Sequence, residues 1–175
     1  EAVGSELAQV VHEHIAGDDL PAPAISFEPG RAIIAPAMIT LYRVGTVKPV
    51  RLDDGSTRLY VSVDGGMSDN LRTALYQADY HAQVVGRHVP GPTTAARVVG
   101  MHCESGDIVV RDVALPEQIR AGDLLAVPVT GAYGRSMASN YNLVPRPGVV
   151  AVQDVSAREI VRRETVSDLL ALDLG

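Results

Sequence analysis

From Leu41 onward the chain is cut into short β-prone runs separated by glycine and proline, and this rhythm limits its fold more than any other feature. Leu41 to Val50 and Arg58 to Val63 flank Asp53-Asp54-Gly55-Ser56, a strong hairpin signal. Further runs follow at Ala82 to Val85, Ala95 to Val99, Ile108 to Val110, Leu124 to Val129, Val149 to Val152 and Arg158 to Arg163. Short strands at this spacing predict a mostly β architecture, a barrel or a sandwich. Ser167 to Leu172, with Asp168 in its first turn, predicts a closing helix.

The first forty residues read differently. Val3, Leu7, Val10, Val11, His14 and Ile15 share one face of a helix expected from Ala2 to Ala16 and ended by Gly17. After a loop from Asp18 to Pro23, Ala24-Ile25-Ser26-Phe27 reads as a short buried strand running into Glu28-Pro29-Gly30-Arg31 and the apolar segment Ala32 to Ile39. A strand that passes through a glycine turn into a helix start presents backbone N–H groups to an anion, and Arg31 would reinforce them; an ordinary turn is the alternative.

Charge and composition narrow the partners. The 175 residues carry a net charge of −6, with no stripe of basic residues, which disfavours nucleic acid and anionic membranes. No apolar run is long enough to cross a bilayer and no leader opens the chain, so a cytoplasmic protein is expected. Cys103 is the only cysteine and Lys48 the only lysine, so there is no internal disulfide and one candidate for amine chemistry. His12 and His14 lie two apart on the helix, where they cannot share a metal, and none is expected. The chain opens on Glu1 inside a helical pattern, which reads as part of a longer protein.

Three loops carry more chemistry than a turn needs. Asp64-Gly65-Gly66-Met67 leads to Arg72 and Tyr76, four apart and therefore on one face if helical, a cationic fork and a hydroxyl suited to a carboxylate. His102-Cys103-Glu104-Ser105-Gly106-Asp107 presents a thiol and an acid between two β-prone runs, the thiol being either a reactive group or a partly buried packing residue. Gly131-Ala132-Tyr133 through Asn142 is small and glycine-rich, with tyrosine hydroxyls that could reach a phosphate.

These segments, with Ser136-Met137-Ala138-Ser139-Asn140-Tyr141-Asn142, Pro145-Arg146-Pro147 and Arg163-Glu164-Thr165, occur in an order that resembles the C-terminal part of the meso-diaminopimelate decarboxylases. These are pyridoxal-phosphate enzymes of the alanine racemase-like fold type, in family 2 of the ornithine, lysine and arginine decarboxylases. The resemblance implies a Greek-key β-barrel or sandwich domain over residues 36–175, preceded over residues 1–35 by the last helix, last strand and phosphate turn of a (β/α)8 barrel. It implies decarboxylation of meso-2,6-diaminopimelate to L-lysine and CO2 by a cytoplasmic homodimer with sites shared across the interface. Decarboxylation of ornithine or arginine and a non-catalytic binding module are the other readings, and Arg72 favours a substrate with a second carboxylate.

By the same resemblance Glu28 faces the pyridine nitrogen of pyridoxal 5'-phosphate, while Pro29, Gly30, Arg31 and Tyr133 belong to the cofactor site. Arg31, Arg72, Tyr76, Glu104 and Tyr133 bind substrate, and Cys103 is the proton donor, lent with Glu104 to the neighbouring subunit. Two positions depart from the family pattern. Thr73 stands where proline is common, and no lysine matches the one that holds the cofactor, Lys48 lying in a predicted strand. The chain by itself is therefore expected to be inactive.

Overall fold

The computed structural model describes residues 2–15 and 24–175. Helix α1 spans Ala2–Ile15, as its apolar periodicity predicts. Its expected end at Ala16 and Gly17, and the loop from Asp18 to Pro23, lie outside the described residues. Helix α2, Gly30–Ile34, runs into a 3-10 turn at Ala35–Ala37, and strand β1 begins at Ile39, where the sequence pattern changes.

The strand expected at Ala24-Ile25-Ser26-Phe27 does not form: residues 24–29 take no place in any sheet, and Ile25 and Phe27 are exposed. Strand-like composition is insufficient without a neighbouring backbone, because a strand is stable only when its N–H and C=O groups are paired.

Eight strands follow: β1 Ile39–Arg51, β2 Thr57–Val63, β3 Gln83–Val85, β4 Thr93–Val99, β5 Ile108–Pro116, β6 Leu124–Pro128, β7 Val149–Gln153 and β8 Ser156–Val161. The first six form one mixed sheet in the order β3-β6-β1-β2-β4-β5, and β7 and β8 form a separate hairpin. The edge strands β3 and β5 approach each other, so the sheet curls toward the expected barrel. Its one parallel pair, β2–β4, departs from a wholly antiparallel Greek key. The β1–β2 turn is the predicted one, with Asp54 Oδ1 accepting from Ser56 N at 2.9 Å and Gly55 in the left-handed region at φ +83°.

Alternation decides the core. Leu59, Val61 and Val63 of β2 point inward and meet Tyr42 and Val44 of β1, Val98 of β4, Val109 and Val110 of β5, and Leu125 and Val127 of β6. Each such side chain contributes roughly 1.5–3 kcal/mol on burial. Strand β5 outruns its predicted apolar stretch because Arg111 and Asp112 continue it: Arg111 Nη2 donates to the Thr73 carbonyl at 2.9 Å, and Asp112 pairs with Arg58 at 3.1 Å.

The closing helix α4, Val166–Leu170, starts on a capping box between Thr165 and Asp168. Just before it, Glu164 ties the C-terminal part to the loop above β6, accepting from Asn140 Nδ2 at 2.7 Å, Arg146 N at 2.8 Å and Arg146 Nε at 2.7 Å. The Arg146 side-chain hydrogen bond, then the backbone bond from Arg146 and the bond from Asn140, lowers the Glu164 carboxyl pKa from 4.5 to about 2. A depressed carboxylate stabilises the fold fully above its unfolded value and loses that contribution as pH falls through the folded one. Glu164→Gln is therefore expected to flatten the acid limb of the stability curve between about pH 4.5 and 2, with little change of slope above pH 6, in urea unfolding at stepped pH. Among the described residues no helix is long and apolar enough to cross a membrane.

Candidate active site

The site is assembled by two loops, 64–76 between β2 and β3 and 129–148 between β6 and β7, each of which reaches two clusters of side chains. In the first cluster, helix α3, Arg72–Tyr76, puts Arg72 and Tyr76 on one face as their spacing predicts. The Arg72 guanidinium lies 5.1 Å from the Tyr76 ring and 5.9 Å from the Tyr133 ring. Thr73 anchors that helix: its hydroxyl, buried, donates to the Val109 carbonyl at 2.9 Å, which gives this departure from the family pattern a structural role.

Tyr133 reaches the cluster through Gly131. A Cβ at Gly131 would fall 2.3 Å from the Ile34 carbonyl, and its N–H donates to the Ala35 carbonyl at 3.0 Å, so the loop lies directly on the end of α2. Tyr133 then sits in the left-handed region at φ +66°, and a Cβ at Gly30 would lie 3.4 Å from its hydroxyl. A bulky residue held at positive φ is a costly conformation of the kind found where a side chain must be aimed.

Gly30 spends its own N–H on the Glu28 carbonyl at 2.8 Å, so that donor is not left for an anion, while the Tyr133 hydroxyl lies beside the same glycine. The Nε atoms of Arg31 and Arg72 are buried without a hydrogen-bond partner, and neither guanidinium forms an ion pair among the described residues. Arg72 beside two tyrosines, and Arg31 next to the glycine that the Tyr133 hydroxyl approaches, each with an unspent donor, fit a carboxylate and a phosphate. Glu28 is exposed and bonded to no other side chain among the described residues, with Pro29 as the cap of α2.

The second cluster surrounds the 100–107 loop between β4 and β5. Cys103 is exposed, so it is not the partly buried packing residue that composition alone allowed. Asp107, buried, accepts from Met67 N at 2.6 Å through Oδ1 and from His102 N at 2.8 Å through Oδ2, joining this loop to Gly65-Gly66-Met67. Cβ atoms at Gly66 and Gly100 would fall within 2.5 Å and 2.1 Å of that carboxylate, which is why glycines flank it. His102 is buried, its Nε2 2.9 Å from Ser68 Oγ, and its ring lies 5.2 Å from that of Tyr141.

The Tyr141 hydroxyl donates to Glu104, and this hydrogen bond is the main reason its pKa is raised above that of an ordinary phenol. Tyr141 is thus directed at Glu104 and not at a phosphate. No sequence pattern flagged His102, Ser68, Asp107 or Tyr141 as partners; the glycine spacing around 65–66 and 100 is the one local hint. Among the described residues no hydrogen bond, ion pair or ring contact joins Cys103 or Glu104 to Arg31, Arg72, Tyr76 or Tyr133.

Below the two clusters, Tyr42 donates its hydroxyl to Asp69, whose other carboxylate oxygen accepts from Gly66 N at 2.7 Å. Burial raises the Asp69 carboxyl above its usual range and raises the Tyr42 phenol further. A cavity of about 230 Å³ opens beside this pair, lined by Ser68, Met101, Arg146 and Glu164 among others.

Comparison with known proteins agrees with these motifs. Residues 19–131 match the family model described as pyridoxal-dependent decarboxylase, C-terminal sheet domain. A diaminopimelate decarboxylase of Mycobacterium tuberculosis is 54% identical over 172 residues, which are 98% of this chain and 38% of that protein. A diaminopimelate decarboxylase of Bacillus subtilis is 46% identical over 169 residues, 97% of this chain and 37% of that protein. The crystal structure of diaminopimelate decarboxylase from Helicobacter pylori complexed with L-lysine superposes with a TM-score of 0.74 at 36% identity, covering 95% of this chain and 39% of that one. The chain thus spans little more than a third of the relatives it matches, and it belongs to the pyridoxal-dependent decarboxylases as their C-terminal sheet domain.

Proposed function

We propose that this chain is the C-terminal part of a homodimeric enzyme that decarboxylates meso-2,6-diaminopimelate to L-lysine and CO2. Residues 1–35 would complete a (β/α)8 barrel that bears the cofactor lysine, and residues 36–175 would form the β-domain. The observation that carries this reading is the first cluster, in which Arg72 keeps an unspent donor beside Tyr76 and Tyr133, with Arg31, its own Nε also unspent, following the glycine that the Tyr133 hydroxyl approaches. A substrate with two carboxylates needs that second cation; ornithine and arginine do not.

Pyridoxal phosphate, when bound, supplies the electron sink that makes loss of CO2 from an α-carbon accessible. The residues of this chain do the rest. Arg31 and Tyr133, above the turn made by Pro29 and Gly30, would hold its phosphate, and Glu28 would keep a proton on its ring nitrogen. Arg72 and Tyr76 would clasp the substrate's distal carboxylate, and Glu104 would take its distal ammonium. When the bond to the departing carboxylate breaks, its electron pair stays on the α-carbon, and the Cys103 thiol delivers the proton that fills it.

Within one chain no described hydrogen bond, ion pair or ring contact joins Cys103 or Glu104 to the first cluster, which supports a site completed by a second copy. We place the enzyme in the cytoplasm, where a free exposed thiol stays reduced.

The test is CO2 release by the complete gene product with pyridoxal phosphate, offered meso-diaminopimelate, ornithine or arginine. Turnover confined to diaminopimelate is expected. Comparable kcat/KM on ornithine or arginine would replace the substrate, and a folded, cofactor-loaded protein that released CO2 from none would be a binding module.

A further inference from the structure

We infer that Tyr141 is a positioning residue that sets the Glu104 carboxylate for substrate, backed by the buried His102 and Ser68. The inference rests on the reading above that Glu104 meets the substrate's distal ammonium. Glu104 is exposed on a short loop, and a free glutamate there would spread over many rotamers. One directed contact restrains it, the hydroxyl of Tyr141 donating to Oε1. That leaves Oε2 of Glu104 free to accept from an ammonium.

Tyr141 is itself held from behind. Its ring leans on the imidazole of His102 at 5.2 Å with 58° between planes, and that imidazole is fixed by Ser68 Oγ at 2.9 Å from Nε2. Asn142 Nδ2, 3.5 Å from the other ring nitrogen, closes the set. The backbone supports the same arrangement: Asn142 and Leu143 both lie at positive φ, +55° and +56°, a costly pair of conformations that turns the chain immediately after Tyr141. Ser139 N donates to the Ser68 carbonyl at 2.9 Å, so the 129–148 loop and the 64–76 loop are joined where His102 is gripped. Ser68, His102, Tyr141 and Glu104 therefore form one chain of contacts from the buried interior to the exposed carboxylate.

Tyr141→Phe tests this directly, because it keeps the ring against His102 and removes only the hydroxyl. In the complete gene product it is expected to raise KM for diaminopimelate by about tenfold and to weaken L-lysine binding in calorimetry by a similar factor, with kcat changed less than about threefold. Glu104→Gln should show the same split, and in a Glu104→Ala background Tyr141→Phe should cost nothing further, since the double variant has no carboxylate left to position. His102→Phe, which keeps the ring and loses the bond to Ser68, should give a smaller rise in KM. If Glu104→Gln raises KM while Tyr141→Phe leaves KM and lysine affinity at wild-type values, the positioning role is wrong. Additive losses in the double variant would also overturn it. If Glu104→Gln leaves KM and lysine affinity unchanged, the substrate contact assigned to Glu104 is wrong and the role of Tyr141 falls with it.

Discussion

Cys103→Ala is expected to lower kcat of the complete enzyme by on the order of 10²- to 10³-fold while leaving KM for diaminopimelate within about twofold. The thiol is exposed and its neighbours are arranged to hold the loop, so its removal takes away the proposed proton donor without opening the core. In deuterium oxide the wild-type enzyme should place one deuterium, stereospecifically, on the carbon that lost CO2. The variant, protonated by solvent from either side, should lose that stereospecificity. Mixing decides where the thiol acts. Cys103→Ala and Arg72→Ala dimers are each expected to be nearly inactive, yet after subunit exchange one of the two sites in a mixed dimer is intact, restoring about a quarter of wild-type activity. No recovery on confirmed exchange would place Cys103 and Arg72 in the same subunit's site.

The relation that experiment tests came from family resemblance alone, because no local pattern in the residues carries it. The hairpin at Asp53 to Ser56 was legible because its signal is local: polar and glycine residues between alternating strands. The helical face shared by Arg72 and Tyr76 was legible for the same reason, a spacing of four. Strand order was not. Strand β1 pairs with β6 across more than eighty residues, and β2 pairs with β4 in parallel, choices made by which apolar faces close the core. At Phe27 a strand-like composition failed for want of a partner, and at Arg111 a charged residue continued a strand because its side chain had the Thr73 carbonyl to bind. In the site, family resemblance marked Cys103 and Glu104, but the contact from Tyr141 spans 37 positions and depends on a histidine that reads as ordinary loop.

Asp107 is where fold and site meet, and Asp107→Ala is expected to cost about 2–5 kcal/mol, since it leaves the N–H groups of Met67 and His102 without their acceptor. Asp107→Asn keeps one carbonyl oxygen and should cost about half as much. The glycines make the claim sharper. In the wild type, Gly100→Ala drives a methyl to within 2.1 Å of the Asp107 carboxylate, so either the side chain or the loop must move and the anchoring bonds are lost. With Asp107→Ala already present the methyl meets no carboxylate. Gly100→Ala should then cost at least about 1 kcal/mol less than in the wild type, a coupling measurable by urea unfolding of the four proteins of the cycle. Equal costs in both backgrounds would mean that the carboxylate does not occupy the space beside Gly100. Activity should follow the same order as stability. The loop freed from Met67 carries Cys103 and Glu104, and a displacement of about 1 Å in the proposed proton donor is enough to lower turnover on the order of 10²-fold.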